Sequence, residues 1–161
     1  MDRDAWEQRL AALWAAIDDC SEQDFLARMR ALTDELEAGD PVAQFELASA
    51  NDSTGHPELA APLYREALTD LSGIRRRRAT IQLASTLRNL GRPDESIALL
   101  TAERNAGSDE LDDAVSAFLA LALVDVGRER EAVSLALGAL SRHLPRYNRS
   151  LASYAKAITE P

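Results

Sequence analysis

Apolar and small residues recur along this chain three and four positions apart, the spacing that gathers them on one face of an α-helix. Three segments show the pattern and align without gaps. They are Leu47-Ala48-x-x-Asn51-x-x-Thr54-Gly55, Leu83-Ala84-x-x-Leu87-x-x-Leu90-Gly91 and Leu119-Ala120-x-x-Leu123-x-x-Val126-Gly127. Their closing glycines stand 36 residues apart each time. Glycine at that place lets a helix end in a left-handed backbone at low cost. Pro57 and Pro93 follow two residues later, suited to the first turn of a second helix. Acidic residues come next, where a helix N-terminus favours negative charge. The second helix carries Ala60, Leu63, Tyr64 and Ala67 in one copy, Ser96, Leu99 and Leu100 in the next, and Ala132, Leu135, Ala136 and Ala139 in the third. Neither helix can bury its stripe alone, so the units must stack.

The flanks continue the helical pattern. A helix is predicted from Asp4 to about Asp19, with Trp6, Leu10, Leu13, Trp14 and Ile17 apolar. Ser21 with Asp24 resembles a capping box and opens a second helix to about Ala38. Gly39-Asp40-Pro41 stops it and starts the first clear repeat. Pro145 is predicted to open a last helix to about Ile158, with Leu151, Tyr154 and Ile158 available to cover the final repeat. No segment alternates as a strand does. The expected fold is all-α, a right-handed helical-hairpin solenoid of about nine helices in one domain over residues 1–161. It divides into a degenerate helix pair at 1–40, repeats at 41–72, 73–108 and 109–144, and a capping helix at 145–161. Trp6, Leu10, Leu13 and Trp14 offer more apolar area than a solvated terminal helix needs. Most of it is expected to cover the adjoining pair, with some left for a second copy.

Composition agrees: alanine occurs 29 times, 46% of residues are hydrophobic and 28% charged, a helix-forming globular profile. The net charge of −9 is uneven, because residues 1–54 hold 13 acids against 4 bases and the remainder holds 14 of each. An acidic chain lacks the positive surface that phosphate neutralisation requires, so no nucleic-acid partner is expected. The acidic third reads as a solvated face, or as a docking surface for a basic partner. Cys20 is the only cysteine, which excludes an internal disulfide. Met1-Asp2-Arg3-Asp4 has neither a basic n-region nor an apolar h-region, and the longest apolar run, Ala117 to Val124, is far short of a membrane span. A cytoplasmic protein with no membrane association is expected.

The Leu-Ala…Gly…Ala…Tyr…Ala arrangement resembles the tetratricopeptide repeat. It departs from the usual pattern in its period of 36 residues and in carrying Gln44, Thr80 and Ser116 where an aromatic is common. The closer resemblance is to the bacterial long-period family of tetratrico-peptide-repeat group 5. It is carried by Phe45-Glu46-Leu47-Ala48, by Asp52-Ser53-x-Gly55, by the stretch from Arg76 to Gly91, and by Phe118-Leu119-Ala120-Leu121-Ala122-Leu123. It covers roughly residues 41–158. The resemblance implies the fold and assigns no activity.

In such repeats the first helix of each pair lines the concave face, and this implies where a site would lie. On the central first helix Arg78, Gln82, Ser85 and Asn89 form one polar stripe, bordered by Arg88 and opposite the core stripe Leu83, Ala84, Leu87 and Leu90. The preceding first helix offers Phe45, Ser49, Asp52 and Ser53, and the following one Ala117, Leu121, Val124 and Asp125. The candidate partner-binding groove is therefore Phe45, Ser49, Asp52, Arg78, Gln82, Ser85, Arg88 and Asn89. Arginine and amide side chains suit a peptide backbone or a carboxylate. The opposing reading is structural: Arg78 and Arg88 pair with acids on neighbouring helices, and Gln82 and Asn89 hold adjacent units. The run Arg75 to Arg78 points all round its helix, so it forms no phosphate-binding stripe and reads as solvation and pairing with the acidic third.

Catalytic and cofactor readings find no support. His56 and His143 have no second histidine or cysteine nearby, so neither a metal nor another cofactor is expected. The glycines are isolated helix stops rather than a phosphate-cradling loop. Cys20 reads as an inert, partly buried thiol. Asp18-Asp19 and Asp112-Asp113 sit beside helix ends, where capping accounts for them. No enzymatic activity is expected. The expected role is a protein–protein interaction module that binds a peptide or protein segment in the concave groove. The alternatives are a self-associating structural module, a homodimer through its terminal helices, and a small-anion or metabolite sensor using Arg78 and Arg88.

Overall fold

The computed structural model describes residues 2–160 and is all-α. Among the described residues there are nine α-helices, one short 3₁₀ helix and no strand. The helices are α1 (Arg3–Ala15), α2 (Glu22–Thr33), α3 (Pro41–Ser53), α4 (Pro57–Ala67), α5 (Gly73–Asn89), α6 (Pro93–Ala106), α7 (Asp112–Asp125), α8 (Glu129–Ser141) and α9 (Asn148–Ala157), with the 3₁₀ helix at Ile17–Asp19. The chain divides into two compact units, Met1–Ala79 and Thr80–Pro161, with α5 running through the division.

The repeat turns take the form their glycines require. Gly55, Gly91 and Gly127 have φ of 86°, 73° and 74°. At each, the glycine N–H donates to the carbonyl three residues back, and the next N–H donates to the carbonyl five residues back. The pairs are Gly55 to Asp52 with His56 to Asn51, Gly91 to Arg88 with Arg92 to Leu87, and Gly127 to Val124 with Arg128 to Leu123, all between 2.9 and 3.1 Å. This double closure satisfies two orphan carbonyls of the ending helix. The next helix then begins within two residues, so each pair is a tight hairpin.

In the N-terminal unit the core gathers Trp6, Leu10 and Leu13 of α1, Phe25, Met29 and Leu32 of α2, and Ala43 and Ala50 of α3. Full burial of one such large side chain stabilises the fold by about 1.5–3 kcal/mol. Trp6 donates from Nε1 to the Leu32 carbonyl at 2.8 Å, so its one polar atom is satisfied while the ring is enclosed. Trp14 meets Phe25 edge-on, with ring centroids 5.3 Å apart. In the C-terminal unit Ile81 and Ala84 of α5 pack with Leu100 of α6, Val115, Leu119, Ala120 and Leu123 of α7, and Ala132 of α8.

Several element boundaries differ from expectation. The first helix closes at Ala15 and tightens into the 3₁₀ helix, with Asp19 N–H donating to the Ala16 carbonyl. Two acids at a helix C-terminus oppose its dipole, which favours that break. Asp18 and Asp19 make no capping bond there, contrary to the capping account. The second helix opens at Ser21, whose side chain accepts from the Asp24 N–H at 3.2 Å. It ends at Thr33 rather than near Ala38, where the Thr33 hydroxyl donates back to the Met29 carbonyl. The last helix starts at Asn148, because Tyr147 takes a left-handed backbone with φ of 65° and separates Pro145 from the helix. Asp112 and Asp109 accept from the N–H groups of Asp109 and Leu111 in the turn before α7, whereas the N-cap Leu111 makes no side-chain cap bond, contrary to the capping account.

Candidate functional site

The candidate residues fall into two groups, which are described by unit. In the N-terminal unit, α3 places Phe45 and Ser49 in the interior, at 0% and 3% exposure. The Tyr64 hydroxyl reaches Ser49 Oγ at 3.4 Å, and burial pushes the phenol well above its ordinary range. Phe45 and Ser49 therefore present no open surface. Phe45 instead supports Arg78, whose guanidinium carbon lies 5.5 Å from the ring centroid. Arg78 itself is exposed, and Asp52 is half-buried.

The same unit holds a polar group that sequence reasoning missed. Glu46 is 4% exposed, with Oε2 accepting from Trp14 Nε1 at 2.8 Å. Burial pushes its carboxyl above the ordinary carboxylate range, and the indole hydrogen bond and the charges of Arg75 and Arg78 only partly oppose that. A signal existed, since Glu46 sits directly between Phe45 and Leu47 on an otherwise apolar stretch. The arginine run is dispersed as its spacing demands: Arg75 pairs with Glu7 at 2.5 Å, Arg77 is buried, and Arg78 lies over Phe45.

In the C-terminal unit, the later turns of α5 carry Gln82, Ser85, Arg88 and Asn89. Gln82, Ser85 and Arg88 are half-buried and Asn89 is exposed, while Leu83, Ala84 and Leu87 on the other face are buried. Leu90, expected to join that core stripe, is half-exposed just past the helix end. Arg88 pairs across to α7, with Nε 2.6 Å from Asp125 Oδ2 and Nη2 donating to Oδ1 at 3.1 Å. Both arginines proposed for ligand contact are thus engaged within the fold: Arg78 with an aromatic face, Arg88 with a carboxylate. Beside α5, α7 presents half-buried Phe118 and exposed Leu121.

The histidines have carboxylate partners. His56 Nε2 lies 2.6 Å from Glu22 Oε1, and that hydrogen bond raises the imidazole above its ordinary range. His143 Nε2 lies 2.8 Å from Asp113 Oδ2, and Arg142 bonds the same carboxylate. Arg142 first, then His143, hold Asp113 below the usual carboxylate range. Cys20 is half-buried and accepts a hydrogen bond from Arg28 at 3.1 Å. Among the described residues no three His, Cys, Asp or Glu side chains gather as a metal site, and no helix is long and apolar enough to cross a membrane. A cavity of about 660 Å³ lies among α6, α8 and the end of α9, with Arg104 and Arg130 balanced by Glu131 and Glu160.

The model of the family described as Tetratrico peptide repeat matches residues 41–158, which covers every repeat turn described above. No curated protein and no solved structure matches the chain. Membership of this family points generally to protein–protein interaction, in a scaffold that typically has no enzymatic activity. The glycine-closed helical hairpins and the span of the family match agree, and the chain belongs to the tetratricopeptide repeat family.

Proposed function

We propose that the chain is a non-enzymatic interaction module that takes a peptide or protein segment along α5. Arg78, Gln82, Ser85 and Asn89 provide the polar strip, with half-buried Phe118 of the neighbouring α7 beside its C-terminal half. One observation carries the reading. A single helix buries Leu83, Ala84 and Leu87 fully on one face, yet keeps Arg78 and Asn89 exposed and Gln82 and Ser85 half-exposed on the other. Hydrogen-bonding side chains at such a strip suit the amides and carboxylates of a peptide, and they gain value when a ligand removes water from them. Phe45 serves beneath the strip, as the platform that holds the Arg78 guanidinium.

The test is affinity capture from the native cell with the wild type and with Arg78→Ala plus Arg88→Ala. The Arg88–Asp125 pair is about one-third exposed at both side chains, so its loss costs about 0.2–1 kcal/mol and the fold survives. The double variant is expected to lose the captured partner. A folded double variant that keeps every wild-type partner would remove α5 as the binding strip.

A further inference from the structure

The repeat register allows burial to be compared position by position. On the first helix of each pair, Phe45, Ile81 and Ala117 are equivalent, and on the second Tyr64, Leu100 and Ala136 are equivalent. In the first two repeats these places are closed, with Phe45, Tyr64 and Leu100 at 0% exposure and Ile81 at 6%. In the third, Ala117 and Ala136 are exposed. Neighbouring positions follow. Ser49 is buried and Ser85 half-buried where Leu121 is 46% exposed, and Ala61 is buried and Ile97 half-buried where Val133 is 46% exposed. Val124 and Leu140 extend the open face. Ile81 and Leu100 share a core with Val115 and Leu119 of α7, so the face of the second repeat is covered by a following helix.

The last helix does not supply that cover. Arg130 Nη2 donates to the Ile158 carbonyl at 2.7 Å, which sets the end of α9 on the flank of α8 that carries Arg130 and Ser134. Their repeat equivalents, Glu58 with Pro62 and Asp94 with Ala98, are exposed, so that flank is not the stacking face. A shallow apolar depression of about 390 Å³ is left between α7 and α8. It is also more apolar than the faces it matches, since Leu121 and Val124 stand where the earlier repeats have Ser49 with Asp52 and Ser85 with Arg88. Exposed apolar surface concentrated in one patch marks a contact surface.

We propose that this α7–α8 face joins two copies of the chain about a two-fold axis. In the N-terminal unit the apolar stripe Trp6, Leu10 and Leu13 of α1 is at most 5% exposed and offers no apolar counterpart to this face. The face is therefore assigned to its own equivalent in a second copy, which closes the assembly at two. Charge permits this: residues 80–161 hold 11 acids and 9 bases, whereas the acidic excess lies within residues 1–54. The rim adds direction. Glu129 opens α8, while Arg142 and His143 follow its end, both well exposed even though each bonds Asp113 within the fold. An antiparallel pairing brings Glu129 of one copy beside Arg142 and His143 of the other, and a parallel pairing sets like charges together. Two helices about 20 Å long and about 10 Å apart offer roughly 400 Å² per copy, at the low end for specific association, so the dimer is a weak and concentration-dependent one.

Sedimentation equilibrium of the full chain from low micromolar to millimolar concentration tests this. The mass is expected to move from 17.6 kDa towards twice that value. Val133→Glu and Leu140→Glu, each at an already exposed position, should raise the dissociation constant by at least about tenfold with the helical circular dichroism unchanged. Glu129→Arg should weaken pairing as well. The α5 double variant should dimerise like the wild type, so failure of this inference is distinguishable from failure of the peptide-binding reading. A wild type that stays at monomer mass throughout overturns the proposal. So does a dimer that both α8 variants leave intact, and unaltered pairing of Glu129→Arg overturns the antiparallel arrangement.

Discussion

Two chemically identical substitutions in the C-terminal unit should shift stability in opposite directions. Gly91 closes α5 with φ of 73°, and nothing lies within 4 Å of the place a Cβ would take. Gly91→Ala therefore meets no steric clash beyond its own backbone, where the left-handed region costs about 1–2 kcal/mol for an L-residue. Reduced freedom of the unfolded chain returns about 0.4–1 kcal/mol, which leaves a net loss of roughly 0.5–1 kcal/mol. Gly138 sits inside α8, also with nothing within 4 Å and without a positive φ. Gly138→Ala gains both helix propensity and unfolded-state entropy, so it should stabilise by about 0.5–1 kcal/mol. Urea unfolding followed by far-ultraviolet circular dichroism measures both, and the two midpoints should move apart on either side of the wild type. Gly91→Asn should lose less than Gly91→Ala, and Gly91→Val should lose most. Equal shifts in one direction for the two alanine variants would refute the account of the repeat turn.

Three further outcomes are expected. Glu46→Gln keeps an acceptor for the Trp14 N–H and removes a buried charge, so it should raise the melting temperature at neutral pH. The carboxyl is raised in the fold, so the folded state favours the protonated form; the wild type loses stability as pH rises through that raised value, and the gain of the variant should vanish below the ordinary carboxylate range. His56 should titrate by NMR above an ordinary imidazole and return towards it in Glu22→Gln; its folded pKa is raised, so its contribution is fully present below the unfolded value and lost as pH rises through the folded one. Trp6→Phe keeps much of the buried ring but removes the indole hydrogen bond to the Leu32 carbonyl, which retains only the longer bond from the Glu35 N–H at 3.4 Å, at a cost of about 0.5–1.5 kcal/mol in thermal or urea unfolding.

The hairpins were legible because their determinants are local. A glycine at a left-handed position, a proline two residues on in the first two copies and a stripe at helical spacing each act within one turn, and the three turns form as expected. The ends of α1 and α2 were less legible, because acidic residues and the back-bonded Thr33 shorten the helices without breaking the apolar periodicity. Pro145 misled for a related reason: the left-handed Tyr147, which no glycine or asparagine announces, moves the helix start to Asn148. The site was harder still. Residues on the flank of a first helix become surface or interior according to what packs next to them, and helical spacing does not carry that information. Phe45 and Ser49 are interior for this reason, while Leu121 at the place equivalent to Ser49 is open. Of the apolar side chains of α1 expected to leave area for another copy, Trp6, Leu10 and Leu13 are buried against α2 and α3 and Trp14 is half-buried, while α7 and α8 carry further exposed apolar residues.

The three glycine turns carry a kinetic consequence. Each brings two helices together across a connection of about three residues, so the hairpin contacts form between stretches already close along the chain. Closing so short a loop takes nanoseconds and forfeits little chain entropy before contacts begin to repay it. Chains dominated by such pairings reach the native state in microseconds to milliseconds. Rapid-mixing experiments on this protein should accordingly find most of the helical signal recovered early, with α3–α4 and α7–α8 as the natural places for it to begin.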